Sequence, residues 1–88
     1  MARRYRKNPD TAARVIEGQV FVVTPDNNTL HSLNDTATRL WELAKDGCTV
    51  EAGAAELVQE YEVDEERARV DVEQCLNELV ERGILVAE

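Results

Sequence analysis

Between Thr29 and Trp41 the hydrophobic pattern changes period, and that change limits the folds open to this chain more than any other feature. T-L-H-S-L reads as a short strand. Beyond Asn34-Asp35, Ala37, Leu40, Trp41 and Ala44 fall at i, i+3, i+4 and i+7, one apolar face of a helix. The Asn34 side chain is suited to accept a backbone N–H at the helix start, and Asp35 sits at the favourable end of the helix dipole. Gly47 is placed to end the segment. A strand therefore runs directly into a capped helix.

Upstream, Ala12 to Ile16 and Gln19 to Val23 read as two more strands, joined by a tight connection at Glu17-Gly18. Thr24 to Asn28 is a longer turn into the third strand, Thr29 to Leu33. The middle strand, V-F-V-V, is apolar on both faces and belongs between its neighbours, which leaves the first and third as edges. An open edge is a liability or a docking site.

Downstream, Thr49 caps a second helix with Val50, Ala54, Leu57, Val58 and Tyr61 on one face; Gly53 weakens it by about 1 kcal/mol relative to alanine. Glu62 to Asp64 is a break. Asp64 then caps the longest helix, with Glu65 and Glu66 in its first turn, Arg82 in its last and Gly83 as its stop. Ala68, Val72, Cys75, Leu76 and Leu79 form its buried stripe, and the apolar I-L-V-A tail is expected to pack back on the core. The expected fold is α+β, a three-stranded antiparallel sheet followed by three helices, winged-helix-like.

With 88 residues the chain makes one domain, near the lower size limit for independent folding. Residues 1 to 14 carry five bases against one acid, and residues 34 to 88 carry five against fifteen, within a net charge of −8. The expected division is a flexible basic arm over residues 1–11 and a folded domain over residues 12–88. The opening M-A-R-R-Y-R-K precedes no apolar run, so neither a secretory signal nor a membrane anchor is expected. Cys48 and Cys75 lack C-x-x-C spacing and fit reduced thiols in a cytoplasmic protein.

Catalysis and metal binding need several groups converging on one point, and this chain has one histidine and two isolated cysteines. No phosphate loop, H-E-x-x-H or paired C-x-x-C is present. No catalytic residue, metal or cofactor is expected. His31 reads as an edge-strand residue bonded to backbone or water, Trp41 as a core anchor, and Cys75 as a small buried hydrophobe.

One family shares this order of features. The β-hairpin at Gly18, H-S-L-N-D-T-A-T-R-L-W-E-L with Asp46-Gly47 after it, T-V-E from Thr49, L-V-Q-E-Y-E-V ending at Val63, and A-R-V-D-V-E-Q-C-L-N-E-L-V-E-R-G-I-L occur at matching spacing. From about Arg14 to Leu85 the chain resembles the pyrroloquinoline quinone synthesis protein D (PqqD) family. That resemblance implies a non-catalytic recognition element for ribosomally made, post-translationally modified peptides. It would hold a precursor's leader and present it to a modifying enzyme, often of the radical S-adenosylmethionine class. The leader would add as a strand to the third strand, in a groove with the last helix. Carried over, the resemblance implies peptide contacts from Thr29, Leu30, His31, Ser32 and Leu33, and from Asp71, Cys75 and Glu78 on one flank of the last helix. The flank with Leu76 and Val80 is the alternative. Acids lining the groove would favour leaders bearing lysine or arginine. The resemblance does not single out the pyrroloquinoline quinone pathway, since freestanding relatives also serve lasso-peptide, mycofactocin-type and other peptide-modifying clusters.

Two other readings compete. A winged-helix DNA binder would read the major groove with the helix from Thr49 to Tyr61, whose polar groups are Glu51, Glu56, Gln59 and Glu60, with no base to meet phosphate. A dimerising subunit would pair its open edge with a second copy, giving a weak homodimer in place of a monomer.

Overall fold

The computed structural model describes residues 3–25 and 28–88, so Asp26 and Asn27 of the expected turn lie outside the described residues. Along the chain run β1 (Tyr5–Lys7), β2 (Ala12–Ile16), β3 (Gln19–Thr24), β4 (Thr29–Ser32), α1 (Asp35–Leu43), α2 (Val50–Glu60), α3 (Glu65–Glu81) and β5 (Leu85–Ala87). A 3₁₀ turn, Ala44–Asp46, extends α1.

The β2–β3 hairpin closes through Glu17 and Gly18 at φ of 52° and 80°. Positive φ at both central residues is what a two-residue turn requires to match the strand twist, and glycine meets it without a Cβ clash. Register then runs from Ala12 opposite Val23 to Ile16 opposite Gln19, and β4 adds with Phe21 opposite Ser32 and Thr24 opposite Thr29. The order is β2-β3-β4, so the apolar strand is central, as its composition demands. Val20, Val22 and Thr24 face inward and are buried, while Gln19, Phe21 and Val23 face the other way and are half-buried.

All three expected caps form. Asn34 Oδ1 accepts the Ala37 N–H at 2.8 Å, Thr49 Oγ1 that of Ala52 at 3.1 Å, and Asp64 Oδ1 that of Glu66 at 3.1 Å. The helices close over the inner sheet face, with Leu40, Val72, Leu76, Leu79 and Ile84 fully or almost fully buried in one cluster with Val20, Val22 and Leu33. Gly53 is a requirement of this packing. A Cβ there would lie 2.8 Å from both Leu40 Cδ2 and Val72 Cγ1, so α2 approaches α1 and α3 only because that side chain is missing. Val58 and Tyr61, expected on the buried face of α2, are exposed. The contact line runs through Gly53, Ala54 and Leu57, and Tyr61 has already left the helix with extended backbone.

The expected flexible arm is corrected at Tyr5–Lys7. These residues form β1 and pair antiparallel with β5, Tyr5 opposite Ala87 and Lys7 opposite Leu85. Tyr5 is only 3% exposed. It exchanges two backbone hydrogen bonds of 2.8 Å with Cys48, and its hydroxyl donates to Asn77 Oδ1 at 3.1 Å. The physical reason is that Tyr5 brings a large ring to a small core, and burying it outweighs ordering three residues. Lys7 Nζ stands 3.5 Å from the Trp41 ring centroid, so Trp41 lies at the half-buried rim of the core beneath a cation. Burial pushes the Lys7 ammonium below its ordinary pKa, Lys45 adds to the fall, and Glu42 opposes it. The apolar tail packs back as expected, through buried Ile84 and Leu85, and in doing so supplies β5.

Replacing Tyr5 with alanine is expected to remove about 3 kcal/mol of stability in urea denaturation; a change under about 0.5 kcal/mol, the size of an ordinary surface substitution, would mark β1 as frayed in solution. Gly53→Ala improves helix propensity, yet overpacking costs about 1–3 kcal/mol. Its thermal midpoint is therefore expected to drop by several degrees, and a rise would show that Leu40 and Val72 yield freely.

Candidate functional site

The third strand of the sheet, β4, lies at an open edge. Its orientation follows from one bond beyond its end, where the Leu33 N–H donates to the Val20 carbonyl at 3.0 Å. In an antiparallel pair, residues bonded to the neighbour alternate with residues whose backbone groups point away. Leu33, His31 and Thr29 therefore bond toward β3, and the N–H and C=O of Leu30 and Ser32 point to the open edge. Side chains alternate in the same rhythm. Leu30 and Ser32 stand on the outer sheet face, exposed, whereas His31 and Leu33 turn inward.

The inward residues are anchored. Leu33 is buried, and its carbonyl accepts from the Gln19 side-chain amide and, at 3.3 Å, from the Thr38 hydroxyl. His31 is half-buried with Nε2 3.3 Å from Thr24 Oγ1, a side-chain partner where backbone or water was expected. Thr24 in turn faces the C-terminal end of α3: a Cβ on Gly83 would lie 3.6 Å from Thr24 Cγ2. Thr29, opposite Thr24, completes the inward row and is half-buried.

On α3, Asp71, Cys75 and Glu78 share one flank. Asp71 is exposed and paired with Arg67 at 3.2 Å, one helical turn away. Cys75 is half-buried against the core; burial first, then the Glu78 carboxylate, push its thiol above the ordinary range, and Arg82 opposes them. It is a neutral thiol at pH 7. Glu78 is exposed. The alternative flank is differently employed. Leu76 is fully buried, Asn77 is held by Tyr5, and Arg69 reaches Glu51 of α2 at 3.3 Å. Val80 is half-buried beside a recess lined by Asn8, Thr24 and Gly83. The strand group is anchored to the core through Leu33 and the helix group through Cys75, with Asp71 and Glu78 exposed, whereas the recess beside Thr24 takes in Val80 of the alternative flank.

Gln19 and Thr24, which hold Leu33 and His31 of the candidate site, were not singled out in the sequence. Both sit in register opposite turn or strand-end positions, so the hairpin alignment was the signal that contained them. Among the described residues no group of three or more His, Cys, Asp and Glu could hold a metal ion, and no helix is long and apolar enough to cross a membrane. The helix that a DNA binder would place in the groove, α2, presents Glu56 and Glu60 to Arg39 of α1, the latter pair at 2.9 Å. Its charge opposes a phosphate backbone.

An α+β domain of winged-helix-like architecture, with an open strand edge and an acidic helix layer, is the class that these features define. Residues 19–85 match the family model of coenzyme PQQ synthesis protein D (PqqD), and the chain belongs to the PqqD family. Its fold matches lasso peptide synthetase B1, solved in complex with the leader peptide, at a TM-score of 0.82 and 24% identity over 93% of this chain and 96% of that one. TbiB1, in complex with the TbiA(beta) leader peptide, matches at 0.81 and 21% identity over 91% and 93%. The PqqD truncation of Methylobacterium extorquens PqqCD, a stand-alone recognition element for ribosomally synthesised and post-translationally modified peptides, matches at 0.74 and 22% identity over 94% and 88%. No curated protein matches the chain in a sequence comparison.

Proposed function

We propose that this protein is a non-catalytic adaptor that binds the leader of a ribosomally made precursor peptide by strand addition to β4 and presents it to a modifying enzyme. The observation that carries the reading is the open edge at Leu30 and Ser32, whose backbone groups point away from the sheet. An extended peptide can satisfy those groups at little sequence cost, and side-chain pockets then choose among peptides. Two fold relatives that were solved with leader peptides support it. So does family membership. The partner enzyme we propose is of the radical S-adenosylmethionine class, the one that the family resemblance implies.

The groove we assign lies between β4 and the Asp71, Cys75 and Glu78 flank of α3. The other flank is engaged by β1 through Asn77, and by the core through Leu76, which supports this choice. Inward-facing leader residues would meet His31 and the half-buried Cys75, with Asp71 and Glu78 at the rim.

Amide NMR titration with leader peptides from small open reading frames beside the gene is expected to shift Thr29 to Leu33 and α3. The same leaders should slow alkylation of Cys75 by iodoacetamide, with buried Cys48 inert in both states. Shifts at β4 without protection of Cys75 would move the groove to the other flank; no shift with any leader, and salt-sensitive shifts with duplex DNA, would overturn the adaptor reading.

Leaders carrying lysine or arginine near the docking strand are expected to bind Asp71→Asn and Glu78→Gln several-fold more weakly than wild type, with the difference fading at high salt. Equal affinity for both variants at low salt would remove these acids from the site.

A further inference from the structure

The outer face of the three-stranded sheet carries apolar side chains that the core does not use. Ala12, Arg14, Ile16, Phe21, Val23 and Leu30 surround a shallow concavity of about 400 Å³ on it. Register arranges them in rows across the strands, Leu30–Val23–Ala12 in one and Ser32–Phe21–Arg14 in the next. Leu30, at the open end of the first row, is 61% exposed. Ser32, at the open end of the second, is small and exposed, and so leaves the approach to Phe21 uncovered from the β4 side.

These rows end on the strand that carries the open edge, and the pleat then dictates what must meet them. Any strand added to β4 sends every second side chain to the outer face, whichever direction it runs. Two of its residues, separated by one, would extend the two rows beside Leu30 and Ser32. Directly opposite side chains sit about 5 Å apart and diagonal ones about 7–8 Å, within reach of a large ring. A polar residue there would meet hydrocarbon; a leucine or an aromatic side chain would cover Leu30 and lean across Ser32 toward Phe21.

We propose that the outer sheet face is a second specificity surface for the bound peptide, taking a large apolar or aromatic side chain from one of the two outward-facing leader positions beside Leu30 and Ser32. The inference rests on the adaptor reading above and extends it. Selection is then made on both faces of the added strand, the α3 groove reading one set of alternate residues and the Leu30–Phe21 surface reading the other. The face is continuous with the docking edge through Leu30, which is why the peptide, rather than a second copy of the chain, is its occupant.

The test uses synthetic leaders from the neighbouring open reading frames that shift the β4 amides, measured by calorimetry against the intact domain. Leu30→Ser is expected to weaken binding about tenfold, the loss that follows from exposing one large apolar contact. Val23→Thr, which keeps strand propensity and shape, should act in the same direction, and Val70→Ser, an exposed change on α3, should act as a neutral control. Alanine scanning of the leader should find a large apolar residue at an outward position whose loss matters against wild type and much less against Leu30→Ser. A leader that shifts β4 yet binds Leu30→Ser and Val23→Thr within about twofold of wild type would overturn this inference and leave the adaptor reading standing. A concentration-dependent dimer in sedimentation that Leu30→Ser dissolves would give the face to a second copy and also overturn it. If no leader shifts β4, both readings fall together.

Discussion

Leu33 is the joint on which the molecule turns. Its N–H closes the last rung of the sheet on Val20, its carbonyl takes the Gln19 amide and the Thr38 hydroxyl, and its side chain is buried among residues of the sheet and the helices. The next residue, Asn34, caps α1. One position thus ends the sheet and begins the helical layer, and it sets the register of β4 as it does so. A slip of one residue would turn His31 outward and Leu30 inward, exchanging the two faces that a docked strand would meet. The edge keeps its chemistry because Leu33 is held by burial and by three hydrogen bonds.

What the sequence made legible was local. The helix caps, the Glu17-Gly18 turn, the central position of V-F-V-V and the apolar stripe of α3 each depend on residues within a few positions of one another. β1 was not legible, because its partners, Cys48, Asn77 and Leu85–Ala87, lie more than forty residues away and Y-R-K is too short to show a period. Val58 and Tyr61 shared a helical face with buried residues, yet burial in α2 depends on where α3 crosses it, and the crossing is fixed by the missing side chain of Gly53. For the site, composition placed Thr29 to Leu33 on an edge strand. Which of those residues turn inward became readable only once the Leu33–Val20 bond was known.

Charge and hydrophobicity divide the surface into zones of different use. Acids dominate the helices, and part of that charge is absorbed within the fold: Arg39 alone draws Glu42, Glu56 and Glu60 toward it and ties α1 to α2. The sheet is nearly free of acids, and β2 is exposed along its whole length. An acidic helical body beside an apolar, weakly basic sheet is poorly suited to nucleic acid and well suited to an extended peptide, whose backbone needs hydrogen-bond partners more than counterions.

The pairing of β1 with β5 brings the two ends of the described chain side by side. Glu88 donates its backbone N–H to the Arg4 carbonyl at 2.8 Å, and its side chain pairs with Arg6. Chain joined at both points would enter and leave the domain side by side, on a pairing that shares no strand with β4. Insertion into a loop of a larger protein, or new ends in the β2–β3 turn, would leave the β4 edge untouched, because neither join involves that strand.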